Sequence, residues 1–87
     1  MVDCSHGNSR KNYKNQSIVL ENLISQITNG NKTIMGVMIE SNIKEGKQKL
    51  SDPLKLEYGV SITDSCISIE ETEKLLLNAH SNILLDL

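Results

Sequence analysis

The stretch Thr33-Ile-Met-Gly-Val-Met-Ile-Glu40 decides the fold. It is a short, nearly continuous apolar run with β-branched residues, bounded by Gly30-Asn31 before it and Ser41-Asn42 after it. Such a run is typical of a strand that is buried on both faces, as the strands of parallel sheets are. We therefore predict a buried strand over residues 33–40.

An amphipathic helix and a further strand precede this run. The apolar residues of the helix recur at i, i+3, i+4 and i+7, which places them on one face; they are Leu20, Leu23, Ile24 and Ile27. Asn29-Gly30 supplies a C-terminal stop. We predict a strand over residues 1–5 and a helix over residues 14–29, which together with the strand over 33–40 form a right-handed parallel βαβ unit.

A long polar stretch of irregular pattern covers residues 41–67. So long a structureless loop in a compact protein is usually functional or disordered, and we interpret it as an active-site loop. Ser68-Ile-Glu-Glu71 is a capping box, because the Ser68 hydroxyl and the Glu71 carboxylate can satisfy the first free N–H groups of a helix. We predict a last helix over residues 69–85.

The order β-α-β-α leaves the sheet incomplete, because two strands cannot bury both their faces and both sheet edges. The first residues already read as a strand, with no capping or leader segment before it, which is the pattern of a fragment. A barrel of eight such units needs ~250 residues and has its active site at the carboxyl ends of the strands. We predict an α/β fold in which residues 1–87 form the C-terminal two β/α units of a (β/α)8 TIM barrel.

Composition limits the class of protein. The chain has 87 residues without Trp or Phe, so its core is thin, and its net charge of −2 argues against nucleic acid or an anionic membrane as the main partner. No stretch approaches the ~20 apolar residues of a membrane span, and the N-terminus lacks the basic start of a targeting peptide. Cys4 and Cys66 read as reduced thiols. We expect a cytoplasmic protein.

His6, Glu40 and Asp64 stand where three apolar runs end. Because parallel pairing puts the carboxyl ends of both strands on one rim, we expect His6 and Glu40 to face one site, over which the loop carrying Asp64 can fold. One imidazole and two carboxylates fit a catalytic divalent metal better than a closed structural zinc site. Spacing alone also allows a loop histidine, a strand-end surface residue and a turn former at these positions.

Four longer blocks carry a resemblance to a known family: Asp3-Cys-Ser-His-Gly-Asn-Ser9, Gly36-Val-Met-Ile-Glu-Ser-Asn42, Glu45-Gly46 and Tyr58-Gly-Val-Ser-Ile-Thr-Asp-Ser-Cys-Ile67. In their residues and in their order along the chain, these blocks resemble the C-terminal part of the 3-deoxy-D-arabino-heptulosonate 7-phosphate (DAHP) synthases, specifically the microbial type that includes the fungal enzymes. The similarity covers nearly the whole chain.

The resemblance implies a (β/α)8 barrel that condenses phosphoenolpyruvate with erythrose 4-phosphate, the first step of the shikimate pathway and of aromatic amino acid biosynthesis. It implies one divalent metal ion, which is manganese, iron, cobalt or zinc. The family's metal-binding His, Glu and Asp fall on His6, Glu40 and Asp64, the same residues that the strand ends indicate. The resemblance also implies that His6 and Asp64 are catalytic residues able to transfer protons, and that the full-length enzyme is a homo-oligomer.

Parts of the family's site have no counterpart in this chain. The fourth ligand, a cysteine from an early strand, is absent, and so are the upstream Arg and Lys residues that hold the substrate phosphates. Neither Cys4 nor Cys66 replaces that ligand by motif, and we interpret Arg10 and Lys11 as solvated surface. We therefore expect part of a synthase that is inactive alone. The alternatives are a truncated, non-catalytic relative and a small independent metal-binding module.

Overall fold

The computed structural model describes residues 1–84 and has an α/β architecture. Short 3-10 turns lie at Tyr13–Asn15 and Pro53–Lys55. In chain order the strands and α-helices are β1 (Val2–Asp3), α1 (Gln16–Thr28), β2 (Val37–Met38), β3 (Ser41–Asn42), β4 (Ile67–Ser68) and α2 (Ile69–Leu84).

Two pairs of parallel strands organise these elements. Strand β1 pairs with β2, with Val2 opposite Val37, and the ladder continues as the Cys4 N–H donates to the Met38 carbonyl at 2.8 Å. Strand β3 pairs with β4, with Ser41 opposite Ile67. Strand β1, helix α1 and strand β2 thus form a parallel β-α-β unit. The carboxyl ends of β1 and β2 lie on the same rim of the sheet.

The strands are shorter and more exposed than the sequence pattern predicts. Only two residues each of the predicted strands 1–5 and 33–40 are paired as β1 and β2. The prediction of burial on both faces is wrong for this chain, because Val37 and Met38 are half-buried and Met35 is 91% exposed. A β-strand is extended by backbone hydrogen bonds to the strands beside it. Among the described residues, β1 and β2 pair with each other over two residues.

The stretch 41–67 contains more structure than the predicted loop. It begins with β3 and ends at the first residue of β4, and between them the Gly46 N–H donates to the Cys66 carbonyl at 2.8 Å and the Lys44 N–H to the Gly59 carbonyl at 2.8 Å. Polar strands of two residues carry no detectable periodicity, which is why the sequence reads as a loop.

The helices lie close to their predicted ranges. Helix α1 falls within residues 14–29 and follows the turn in which Asn12 Oδ1 accepts from the Lys14 N–H. Helix α2 starts where predicted, and the Ser68 hydroxyl accepts from the Glu71 N–H at 3.1 Å, which is one half of the capping box. The last predicted helical residue, Leu85, lies outside the described residues.

The core is thin. It lies where α1 and α2 pack against each other and against the strand ends, and its buried residues are Cys4, Leu20, Leu23, Ile24, Ile67 and Leu75. The Cα radius of gyration is 14.8 Å, whereas a compact chain of this length has about 12 Å. Among the described residues, no helix has the length and apolar character needed to cross a membrane.

Candidate metal centre

Three side chains from distant parts of the chain meet beyond the carboxyl ends of β1 and β2. His6 Nε2 lies 3.0 Å from Asp64 Oδ2 and 3.2 Å from Glu40 Oε1. One potential ligand atom from each residue lies within 4.8 Å of the others, and within residues 1–84 this is the one such group of His, Cys, Asp or Glu. The fold therefore brings together the three residues that the sequence singled out.

The loop that carries His6 has an uncommon backbone conformation. His6, Arg10 and Lys11 have φ values of 45°, 56° and 59°, in the left-handed region that side chains disfavour. The loop is closed on itself, since the Lys11 N–H donates to the His6 carbonyl at 2.8 Å and the Ser9 hydroxyl donates to the same carbonyl at 3.2 Å. Strained backbone conformations of this kind persist where several surrounding hydrogen bonds hold them in place, and they are common at functional sites.

Asp3 holds the other nitrogen of the His6 ring. Asp3 Oδ2 lies 2.8 Å from His6 Nδ1, and Asp3 Oδ1 accepts from the Ser5 N–H at 2.7 Å. The hydrogen bond to Asp3 is the main cause that raises the pKa of His6 above its usual value, with further contributions from Asp64 and Glu40. The same hydrogen bond to His6 lowers the pKa of Asp3.

Glu40 is held through both its side chain and its backbone. The Ser5 hydroxyl donates to the Glu40 carboxylate. The Gln16 side-chain amide donates to the Glu40 carbonyl at 3.0 Å and accepts from the Glu40 N–H at 2.8 Å. Gln16 is fully buried at the first turn of α1, so it ties the helix to the end of β2.

Asp64 reaches the site from the stretch between β3 and β4 and is the most exposed of the three, with 61% of its side chain accessible. A cavity of about 170 Å³ adjoins the three residues, and Ser5, His6, Lys11, Glu40, Lys47, Asp64 and Ser65 line it. Lys11 borders the site and is exposed, so its interpretation as solvated surface is compatible with a position at the edge of the cavity. Larger cavities lie against α1, away from these ionisable groups.

Sequence reasoning missed Asp3, Gln16 and Lys47 as parts of this site. A signal existed for Gln16, which lies four residues before Leu20 and therefore continues the apolar stripe of α1 with a polar side chain. Cys4 and Cys66 are free, buried thiols outside the group, and burial raises the pKa of each. No local pattern marks Lys47, because long-range folding brings it to the cavity.

Known proteins are similar to this chain in sequence and in structure. The model of the DAHP synthetase I family matches residues 1–77. The chain is 52% identical over 84 residues to the Tyr-sensitive phospho-2-dehydro-3-deoxyheptonate aldolase of Escherichia coli (strain K12), covering 95% of this chain and 24% of that protein. It is 58% identical over 80 residues to the tyrosine-inhibited aldolase of Candida albicans, covering 87% of this chain and 22% of that protein.

A solved structure extends the similarity to three dimensions. The phospho-2-dehydro-3-deoxyheptonate aldolase from Francisella tularensis superposes with a TM-score of 0.89 at 41% sequence identity. The superposition covers 98% of this chain and 24% of that one. The chain therefore spans about a quarter of the length of these relatives.

Proposed function

This chain belongs to the DAHP synthetase I family, and we propose from that premise that it supplies the metal-binding part of a DAHP synthase. The complete enzyme condenses phosphoenolpyruvate with erythrose 4-phosphate, in the first step of the shikimate pathway. The observation that carries the proposal is the convergence of His6, Glu40 and Asp64 at the ends of two parallel strands. The 87-residue chain alone is not expected to catalyse this condensation.

The donor set and its spacing fit a divalent ion. Ligand atoms that each lie about 2.1 Å from an ion are about 3.0 to 3.4 Å apart, depending on coordination geometry. His6 Nε2 lies 3.0 and 3.2 Å from the nearest carboxylate oxygens of Asp64 and Glu40. One imidazole nitrogen with two carboxylate oxygens suits manganese, iron, cobalt or zinc.

A bound divalent ion would supply Lewis-acid polarisation of the sugar aldehyde, an effect worth several kcal/mol. The residues of this chain contribute orientation and proton handling. The Ser5 hydroxyl and the Gln16 amide orient Glu40 from two sides. Lys11 and Lys47 border the same cavity and place positive charge beside the two carboxylates, Glu40 and Asp64, where anionic substrates would enter.

His6 and Asp64 are the residues we assign to catalysis. Asp64 Oδ2 lies 3.0 Å from His6 Nε2 and is open to solvent, so it can take or give a proton at that oxygen when substrate lies in the cavity. His6 is less exposed than Asp64 and lies 3.2 Å from Glu40 Oε1. Because His6 Nε2 and Asp64 would both hold the ion, His6 would take part in the reaction as a ligand, and proton transfer would fall to the exposed carboxylate of Asp64.

The remaining part of the proposal concerns the context of the chain. We infer that residues 1–87 form the last two β/α units of a (β/α)8 barrel, because their exposed strand edges match the need for further strands. The proposed partners are the two substrates, phosphoenolpyruvate and erythrose 4-phosphate, and further copies of the enzyme in a homo-oligomer. Neither nucleic acid nor a membrane is an expected partner. The expected location is the cytoplasm.

A chimera tests the metal site. In the chimera, this 87-residue chain replaces the matching 24% of the Francisella tularensis aldolase, so that a complete barrel surrounds it. We expect Glu40→Gln to abolish condensation and to weaken zinc binding by more than the roughly 10- to 100-fold that loss of an outer partner costs. Glu21→Gln, on the exposed face of α1, is the matched control and should change neither. Unaltered zinc affinity in Glu40→Gln would refute the site.

A further inference from the structure

Asp3 contacts His6 directly but is not one of the three candidate ligands. We propose that Asp3 is a positioning residue, which fixes the imidazole of His6 with the proton on Nδ1 and the free electron pair of Nε2 directed at Glu40 and Asp64. This inference rests on the proposed metal site, because an electron pair on Nε2 is needed only if that nitrogen binds a cation.

The contacts determine which nitrogen carries the proton. A neutral imidazole has one N–H donor and one acceptor nitrogen, whereas an ionised carboxylate only accepts. Asp3 Oδ2 lies 2.8 Å from His6 Nδ1, so the hydrogen bond requires a proton on Nδ1. In the neutral ring Nε2 is then the unprotonated nitrogen, and its position 3.0 Å from Asp64 Oδ2 puts its electron pair where a cation shared with that carboxylate would lie; without a cation, a second proton on Nε2 donates to Asp64 instead.

Asp3 is itself held in place, as a positioning residue has to be. Its backbone belongs to β1 and pairs with Met38 of β2. Its second carboxylate oxygen accepts from the Ser5 N–H at 2.7 Å, and its carbonyl accepts from the Asn8 amide at 2.6 Å. The strand and the loop therefore fix the direction of Asp3 Oδ2 independently of His6.

Asp3 does not act as a fourth ligand in this arrangement. Its Oδ2 is engaged by Nδ1, and the group of ligand atoms that lie within 4.8 Å of one another comprises His6, Glu40 and Asp64 among the described residues. Metal-bound imidazoles generally donate their second N–H to a carboxylate, a carbonyl or water, and loss of that partner costs about 10- to 100-fold in metal affinity. We expect an effect of that size from Asp3.

The substitution Asp3→Asn separates positioning from local structure. The side-chain oxygen of Asn can still accept from the Ser5 N–H, but its NH2 group then faces His6 Nδ1 and donates to it, which moves the ring proton to Nε2. Asp52→Asn is the matched control. Asp52 Oδ1 accepts from the Leu54 N–H at 3.0 Å in the same i to i+2 turn, and the ion pairs that His6 forms are with Asp3, Glu40 and Asp64.

The experiment uses the complete chain within the chimera, with zinc as the probe. Zinc affinity is measured by chelator competition, and the ring nitrogens of His6 are observed by 15N NMR in the zinc-loaded protein, with His6→Gln assigning the signals. We expect zinc on Nε2 and a hydrogen-bonded proton on Nδ1. We expect Asp3→Asn to lower zinc affinity about 10- to 100-fold and to remove that Nδ1 proton signal, while Asp52→Asn changes neither.

Two results would overturn the inference: zinc on Nδ1 in the unsubstituted chimera, or unchanged affinity and spectrum in Asp3→Asn. If Asp3→Asn fails to fold, the spectrum of the unsubstituted protein still decides. The metal site is judged separately by Glu40→Gln. If Glu40→Gln weakens zinc binding as expected and Asp3→Asn leaves it unchanged, only the positioning role is wrong, whereas unchanged binding in Glu40→Gln refutes the site itself.

Discussion

Separation of this chain from the rest of a barrel is expected to abolish cooperative unfolding. The two strand pairs leave apolar surface open, and side chains such as Met35, Leu54 and Tyr58 are exposed by 91%, 94% and 81%. In a complete barrel, further strands and helices would cover much of this surface. The 87-residue chain should therefore behave as a fluctuating or associating species when it is purified alone.

The size of the effect follows from the exposed area. A compact protein of 9.7 kDa exposes about 5,100 Å², whereas this chain exposes 6325 Å². The excess of about 1,200 Å² includes about 700 Å² of apolar surface, because more than half of a protein's surface is apolar. At about 25 cal/mol per Å², failure to bury it forgoes about 17 kcal/mol, more than the roughly 5 to 15 kcal/mol by which domains are stable.

Circular dichroism during thermal and urea unfolding measures this directly, for the chain alone and for the chimera. For the chain alone, we expect the circular dichroism signal to change gradually over the whole range of temperature or urea, with no flat region for a folded state. For the chimera, we expect a sharp, cooperative transition. Zinc binding by the chain alone should be weak, because its ligands are not held in place before binding. Part of the binding free energy is then used to order them. A sharp transition of the monomeric chain would refute the reasoning and would favour an independent metal-binding module.

Three further predictions concern single features, each measured in the chimera. Gln16→Leu leaves the Glu40 N–H unpaired, whereas the Glu40 carbonyl still accepts from the Ile67 N–H at 3.1 Å, so urea unfolding should show a loss of about 1 kcal/mol. Gly59→Ala should lower stability by about 1 to 3 kcal/mol, because Gly59 has a φ of +83° and an added Cβ lies 2.9 Å from Ile43 Cβ; a thermal melt detects this. Zinc affinity should rise with pH up to and above the usual His6 pKa of 6.5, since that pKa is raised and a proton on His6 competes with the metal; calorimetry at several pH values tests the sign.

Each of these has a control in the same chain. Gln26→Leu removes an exposed glutamine of α1, and Gly7→Ala adds a Cβ with nothing within 4 Å; both should be nearly neutral. His80→Gln, on the exposed face of α2, should leave the pH dependence unchanged. Equal losses in Gln16→Leu and Gln26→Leu, no loss in Gly59→Ala, or zinc affinity that falls as pH rises would each contradict the corresponding argument.

Charge pairing at His6 also makes the stability of the metal-free protein depend on pH. Protonated His6 lies among Asp3, Glu40 and Asp64, and these contacts raise its pKa in the folded state. The stability from this charge pairing is fully present below the unfolded-state pKa of His and is lost as pH rises through the raised folded-state value. Metal-free and zinc-loaded protein should therefore respond to pH in opposite directions.

Local patterns in the sequence were sufficient to predict the helices and to single out the three candidate ligands. The apolar stripe at Leu20, Leu23 and Ile24 defines α1 because the 3.6-residue period of a helix is written in neighbouring residues. The capping residue Ser68 marks the start of α2 in the same way. His6, Glu40 and Asp64 could be named because each follows an apolar run and each matches a motif of the family.

Only the tertiary structure decided how these residues are held. Residues 41–67 contain parts of two paired strands, Gln16 and Asp3 support Glu40 and His6, and Lys47 borders the cavity. Each of these features except the Asp3 contact joins positions far apart in the chain, and such pairings leave no periodicity in the local sequence. The residue types determined by themselves which chemistry is available; the folding of distant segments onto one rim determined that three of them lie within reach of a single ion.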